Sequence, residues 1–334
     1  MRPVHCLVTA LLTLAACAGP VSDAPAAPTP AAATPAAATP AADDPRSEPA
    51  IFGTTHYLPS AIYGMDREIN IYVPDIPEWG KGYFADPLPV LFLVDGGRDQ
   101  DFFHIAGLSQ LTLVNAERQP MIVVGVRTHD RRPEISPAAE DPRYKANGFE
   151  GWGGSHTFRR HLLEEVRPFV ESRHATGRAT LMGESLAGLF VVETFLEAPG
   201  SFDDYVAVSP SLWWDDRRLS RQAPERLASH GSSDRRLYLT MADEGGTMQL
   251  GLDELLMALS AHPDAVDVRY VDRSGEDTHG TIYHHAARDA LTWLHGIPAG
   301  PYGETPWYLV DGGQPDATPA PSELTNPEEG TDAP

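Results

Sequence analysis

Between about residue 51 and residue 300 the chain alternates short β-rich runs with longer helical patterns, and this alternation limits its fold more than any other feature. The runs are "REINIYVP" (67–74), "PVLFLVDGG" (89–97), "MIVVGV" (121–126), "ATLMG" (179–183), "DYVAVSP" (204–210), "RLYLTM" (236–241) and "VDVRYV" (266–271). The first alternates polar and apolar residues, as a half-buried strand does. The central ones are almost continuously apolar, which marks parallel strands covered on both faces. Helix-like segments fall between them at 154–174, 185–198, 246–262 and 281–296. The order predicts an α/β fold, a doubly wound and mostly parallel sheet in one domain, residues 51–300. Ligands bind such sheets at the carboxyl ends of the strands, so each strand-end loop is a place to look for chemistry.

The flanks read differently. Arg2, the apolar stretch Cys6 to Ala16 and then Cys17 have the layout of an export signal, and the stretch is too short to span a bilayer comfortably. Leu14-Ala15-Ala16-Cys17 resembles the lipobox of bacterial lipoproteins, which predicts a signal peptide over 1–16 and a lipidated Cys17; signal cleavage after Ala18 is the alternative. Residues 17–50 are dominated by Ala and Pro and are expected to tether the domain to a lipid surface. Residues 301–334 carry seven acidic residues and no Lys or Arg, and are expected to form an acidic disordered tail. Ala18 after the cysteine places the expected lipid anchor in the envelope of a Gram-negative bacterium, on the outer membrane facing the periplasm. Removal of Cys6 and lipidation of Cys17 would leave no thiol for a disulfide or a thiolate metal site.

Charge excludes one class of function. With 47 acidic against 25 basic residues the net charge is -22, which argues against a protein that neutralises nucleic-acid phosphates.

Three strand ends carry residue types needed for nucleophilic acyl transfer, in the chain order Ser, acid, His expected of α/β-hydrolases. Ser185 follows "ATLMG" and directly precedes a helix, the setting of a nucleophile elbow; as a helix start it could instead be an N-cap. Ala187 stands where G-x-S-x-G has its last glycine, and Gly183 and Gly188 are the small neighbours that let strand and helix pass closely. Asp243 and Glu244 follow "RLYLTM" as candidate acids, or as caps of the next helix. His279 lies in the loop after "VDVRYV", where an imidazole can reach a serine as general base. His284 and His285 fall on the following helix and read as packing or surface residues. Gly96 and Gly97 end another strand; their N–H groups, with that of Leu186, are candidates for an oxyanion hole, against the simpler reading of a glycine turn.

The stretches "LFLVDGGRDQDFFHIAGL", "MIVVGVRTHDRRPEISP", "GGSHTFRRHLLEEVRPFVESRH", "LMGESLAGLFVVETFLEAPGSFDDYVAVSPSLWWDD", "YLTMADEGGTMQLGLDELLMAL" and "HGTIYHHAARDALTWL" together resemble the esterase group of α/β-hydrolases. That group contains siderophore (enterochelin-type) esterases and is related to feruloyl esterases, S-formylglutathione hydrolases and mycolyltransferases. The resemblance implies a serine esterase with an acyl-enzyme, Ser185 as nucleophile, His279 as base, Glu244 in preference to Asp243 as acid, and no cofactor or metal.

The expected substrate is a small-molecule ester, of siderophore or aromatic acyl type. Residues 127–158 form a long connection bearing Arg127, Arg131, Arg132, Arg143, Tyr144, Lys145 and Trp152, suited to an anionic ligand or to pairing with the protein's own carboxylates. Arg131 and Arg132 are the substrate-binding candidates there. Trp213 and Trp214, beyond another strand end, are candidate walls of an aromatic pocket or packing residues. Two rival functions keep the fold: a non-catalytic envelope lipoprotein that binds a ligand, and an acyltransferase using the same residues.

Overall fold

A computed structural model of the chain describes residues 47–297. The expected signal peptide, Cys17, most of the tether and the acidic tail lie outside the described residues. Among the described residues, every helix and strand falls in the unit that begins at Ile51.

Eight strands form a single sheet in the order β1-β2-β4-β3-β5-β6-β7-β8. They are β1 (Thr54–Ser60), β2 (Met65–Tyr72), β3 (Val90–Val94), β4 (Ile122–Val126), β5 (Ala179–Glu184), β6 (Asp204–Val208), β7 (Arg236–Met241) and β8 (Asp267–Asp272). β1 with β2 and β2 with β4 pair antiparallel, and every other pairing is parallel. The apolar runs become the central strands: every residue of β3, β4 and β6 is buried. At the sheet's edge β8 alternates half-buried and exposed positions.

Helices cover both faces. One layer contains α1 (Phe102–Asn115) and α9 (Ile282–His295), packed on Leu91, Leu93, Val123 and Val206. The other contains α6 (Leu186–Glu197), α7 (Trp214–Leu227) and α8 (Gly246–Ser260), packed on Phe92, Val124, Leu181 and Leu239. The expected helix at 154–174 is α4 (Ser155–His161), a π-helical stretch (Leu162–Val166) and α5 (Arg167–Glu171). Short helices α2 (Arg131–Ile135) and α3 (Pro142–Tyr144) break up the long connection after β4.

β1, α1 and α7 have no counterpart among the sequence expectations; α7 is polar and carries Pro224 in its interior. β1 is an edge strand with one buried residue, Ser60, so it lacks a clean alternation. α1, "FFHIAGLSQLTLVN", is apolar on nearly every side and carries no charge to mark an outer face.

Candidate active site

The loops that leave β3, β4, β5, β6, β7 and β8 at their carboxyl ends supply the candidate site. Ser185 stands between β5 and α6 with φ 60° and ψ -118°, a conformation costly for a residue with a side chain. Its N–H donates to Val208 O (2.9 Å), and its carbonyl accepts from Leu189 N (2.9 Å) and Ser211 N (3.0 Å), so the tight turn is fixed from three sides. The small residues around it now have a definite reason. A Cβ on Gly183 would sit 2.7 Å from the backbone and methyl of Ala187, and one on Gly188 3.0 Å from Val208 O. Alanine at 187 fits because glycine at 183 leaves room for its methyl.

His279 joins the other two members. Its Nε2 lies 3.1 Å from Ser185 Oγ and its Nδ1 2.6 Å from Glu244 Oε1. The Glu244 side chain is 10% exposed and that of His279 44%, so the acid is shielded while the imidazole faces solvent. Asp243 is the other acid considered. It is exposed, its N–H donates to Asp277 O (3.2 Å), and its side chain makes no hydrogen bond or ion pair to His279. His284 and His285 are exposed on α9; His284 Nδ1 lies 2.9 Å from His104 Nε2, and His285 Nδ1 2.9 Å from Asp277 Oδ1.

The glycine pair needs correction. Gly96 N–H donates to Val126 O (2.9 Å), prolonging the β3–β4 ladder, so it is not a free donor. Gly97 N–H donates to Gln100 Oε1 (2.8 Å), within a turn closed by Gln100 N to Gly97 O (3.0 Å). Leu186 is the first residue of α6, and the first N–H groups of a helix have no intrahelical acceptor.

Arg131 comes next to the nucleophile, but as part of the scaffold. Its Nε donates to Asp95 Oδ2 (2.6 Å) and its Nη2 to Glu184 O (3.4 Å). Asp95, at φ 60° after β3, also accepts from Thr128 Oγ1, whose oxygen in turn accepts from Gln100 Nε2 (2.9 Å). Loops after β3, β4 and β5 are thereby tied together. Arg132 is exposed and makes no side-chain hydrogen bond or ion pair with the described residues. Arg127 pairs with Glu68 and Asp99, and Arg143 with Asp141 and Asp216. For these the internal-pairing reading holds.

The tryptophans part ways. Trp214 is 2% exposed and donates from Nε1 to Pro137 O (3.1 Å), with Trp152 stacked on it at 5.1 Å between centroids. It is a packing residue, since its polar handle is already used inside the fold. Trp213 is half-buried and lines a cavity of about 330 Å³ with Arg143, Tyr144, Asn147 and Phe149. Asp215, buried at φ 49°, pins this region: its carboxylate accepts from the N–H groups of Glu140 (3.0 Å) and Asp141 (2.9 Å) and pairs with Arg218.

Sequence reasoning passed over two further groups. Ser211 Oγ lies 3.4 Å from Ser185 Oγ and is almost wholly buried. Glu184, next to the nucleophile, has its carboxyl pushed up to about 7 by burial, a shift the positive field of His279 only partly offsets; burial and nearby Asp95 push Asp101 up to about 6. No signal marks Ser211, whereas Glu184 sits inside the motif itself. Among the described residues no group of three His, Cys, Asp or Glu is placed to hold a metal ion, and no helix is long and apolar enough to cross a membrane.

Residues 60–265 match the family described as "Putative esterase". A curated relative, the siderophore enterobactin esterase of Emericella nidulans, is 42% identical over 105 residues, covering 29% of this chain and 34% of that protein. The ferri-bacillibactin esterase of Bacillus subtilis is 26% identical over 171 residues, covering 45% and 56%. The chain thus spans about a third to a little over half of the curated relatives it matches. The crystal structure of the BES protein from Bacillus cereus superposes with a TM-score of 0.64 at 21% identity, covering 76% of this chain and 100% of that one. At that identity the likeness speaks for the fold.

Proposed function

The chain belongs to the esterase family, and from that premise we propose that it is a serine esterase hydrolysing a carboxylic ester through an acyl-enzyme. The observation that carries this reading is His279, whose two ring nitrogens meet Ser185 Oγ and Glu244 Oε1. His279 Nε2 takes the hydroxyl proton as Ser185 Oγ attacks the ester carbonyl, and Glu244 holds the imidazole in the required tautomer and stabilises its cation. The proton then passes from Nε2 to the departing alkoxide. Water, activated by the same nitrogen, releases the acid and restores Ser185 Oγ–H. The main-chain N–H of Leu186 at the start of α6 is an oxyanion donor in this scheme.

For the substrate we propose an ester of siderophore type, the class named for the curated relatives. The half-buried rings of Trp213, Tyr144 and Phe149, and the guanidinium of Arg132, unpaired among the described residues, suit an aromatic and anionic ligand. We also propose a lipid anchor at Cys17 that holds the enzyme to the cell envelope, on the strength of the sequence Leu14 to Cys17.

Hydrolysis of short p-nitrophenyl esters by wild type, Ser185→Ala and His279→Ala tests the chemistry, and equal rates in all three refute it. A panel of ferric siderophore and feruloyl esters then tests the substrate class. Cys17→Ser tests the anchor: unchanged membrane association and gel mobility would dismiss it.

A further inference from the structure

One face of α1 is left without the charged residues that a solvent-facing helix carries. Phe102, Ile105, Ala106, Leu108, Ser109 and Thr112 point inward and are buried. On the opposite side Phe103, Leu111 and Val114 are 50%, 42% and 74% exposed. Gly107 and Gln110 fall between them at helical spacing, so the stripe runs the length of the helix with no charge on it. In a chain of net charge -22 an uncharged apolar stripe of this kind marks a surface that is covered.

The path of the chain says what covers it. Beyond α9, Gln119 N donates to His295 O (2.8 Å), Ile297 N donates to Glu117 O (3.2 Å), and Arg118 bridges Gly296 antiparallel. Ile297 is thus paired with Glu117, two residues in sequence from the carboxyl end of α1 at Asn115. There lie Val114 and Leu111. Ten residues beyond Ile297, the sequence places Trp307-Tyr308-Leu309-Val310, the one run of large apolar residues after Ile297 in the sequence. Ten extended steps reach about 33 Å, whereas the 14 residues of α1 rise only about 21 Å. The run can therefore lie anywhere along the stripe.

We propose that the outer face of α1, Phe103, Leu111 and Val114, is the docking surface for Trp307–Val310 of the same chain. The surface is independent of the catalytic reading. It bears on the site because α1 begins directly after the turn Gly97–Gln100, so the segment braces the helix that carries that turn.

Photo-crosslinking from the stripe tests this in the full chain. With p-benzoylphenylalanine substituted at Val114, irradiation is expected to give a monomer-sized product whose fragmentation localises the link to residues 307–310. Loss of that link in Trp307→Asp/Leu309→Asp is the expected control. A link elsewhere in the chain, a dimer-sized product from a second copy, or no link at all would overturn the proposal. Independently, a chain stopped after Gly300 is expected to bind several-fold more of an apolar-surface dye than the full chain, and Leu111→Asp in the stopped chain to reverse the gain. Equal dye binding by the full and stopped chains would also overturn it.

Discussion

The Arg131 guanidinium joins two loops that must stay in register: Nε holds Asp95 Oδ2 at 2.6 Å beyond β3, and Nη2 reaches Glu184 O at 3.4 Å, one residue before Ser185. The Asp95 side chain is 7% exposed and that of Arg131 37%, so one partner is buried and the other reaches solvent. Removing Arg131 leaves a buried carboxylate with the Thr128 hydroxyl alone. We expect Arg131→Ala to cost about 1–3 kcal/mol in urea unfolding, as for loss of a hydrogen bond to a charged group. Esterase kcat should fall as well. Arg131→Lys restores the charge without the planar fork, so it should recover more stability than kcat. Full activity in Arg131→Ala would show that the two loops hold their places without it.

The two acids after β7 give a direct comparison. Glu244 touches His279 and Asp243 does not. Glu244→Gln should lower kcat by up to about 10⁴-fold, the scale seen when the orienting carboxylate of a serine-protease triad is amidated. Asp243→Asn should stay near wild type. Steady-state kinetics on one p-nitrophenyl ester decide between them, and the reverse pattern would move the acid's role to Asp243.

Burial of Glu184 also sets a pH dependence. Its carboxyl titrates near 7 in the folded protein against an ordinary value of 4.5, so between those values the folded state binds more protons than the unfolded. Stability therefore falls as pH rises from about 4.5 through 7. Glu193, buried on α6 and likewise pushed up to about 7, acts in the same direction, as does Asp101, pushed up to about 6. Glu184→Gln should remove one of these contributions and flatten the fall in urea midpoint between pH 5 and 8. An unchanged slope would place the Glu184 titration outside that window.

The central strands, the helices α6, α8 and α9 and the Ser, acid, His order were legible because burial on two faces and the strand-turn-helix setting both leave patterns in the sequence. The choice of Glu244 over Asp243 was not fixed by spacing, since neighbouring residues in a loop differ only in which way the backbone turns them. Gly96 and Gly97 misled for a related reason: a glycine advertises conformational freedom, but whether its N–H is free depends on the pairing of β3 with β4 and on how the Gln100 side chain turns back, neither of which the glycines encode. α1 was missed because it lacks a polar face, the very property that leaves its outer stripe unexplained by solvent.

Trp213 and Trp214 are adjacent in sequence and should part in experiment. Trp214→Ala empties a buried site and abandons Pro137 O, and is expected to cost about 3–5 kcal/mol in urea unfolding. Trp213→Ala should cost less stability and raise KM for an aromatic acyl ester more than for an acetyl ester. Equal effects on both esters would remove Trp213 from the acyl pocket.

Gly183 carries the last prediction, because the elbow's tolerance of alanine at 187 depends on it. A methyl at 183 would lie 2.7 Å from the carbonyl carbon, the carbonyl oxygen and the Cβ of Ala187, and only the last of these belongs to a side chain. Gly183→Ala should therefore push α6 from β5 and cost about 1–3 kcal/mol, with a larger loss in kcat because Ser185 moves with the helix start. Adding Ala187→Gly removes one of the three clashes and leaves the two with backbone, so the double variant should regain only part of the stability. Circular dichroism melts and ester hydrolysis on the two variants read this out. Complete recovery in the double variant would mean that the Ala187 methyl alone sets the packing of the elbow.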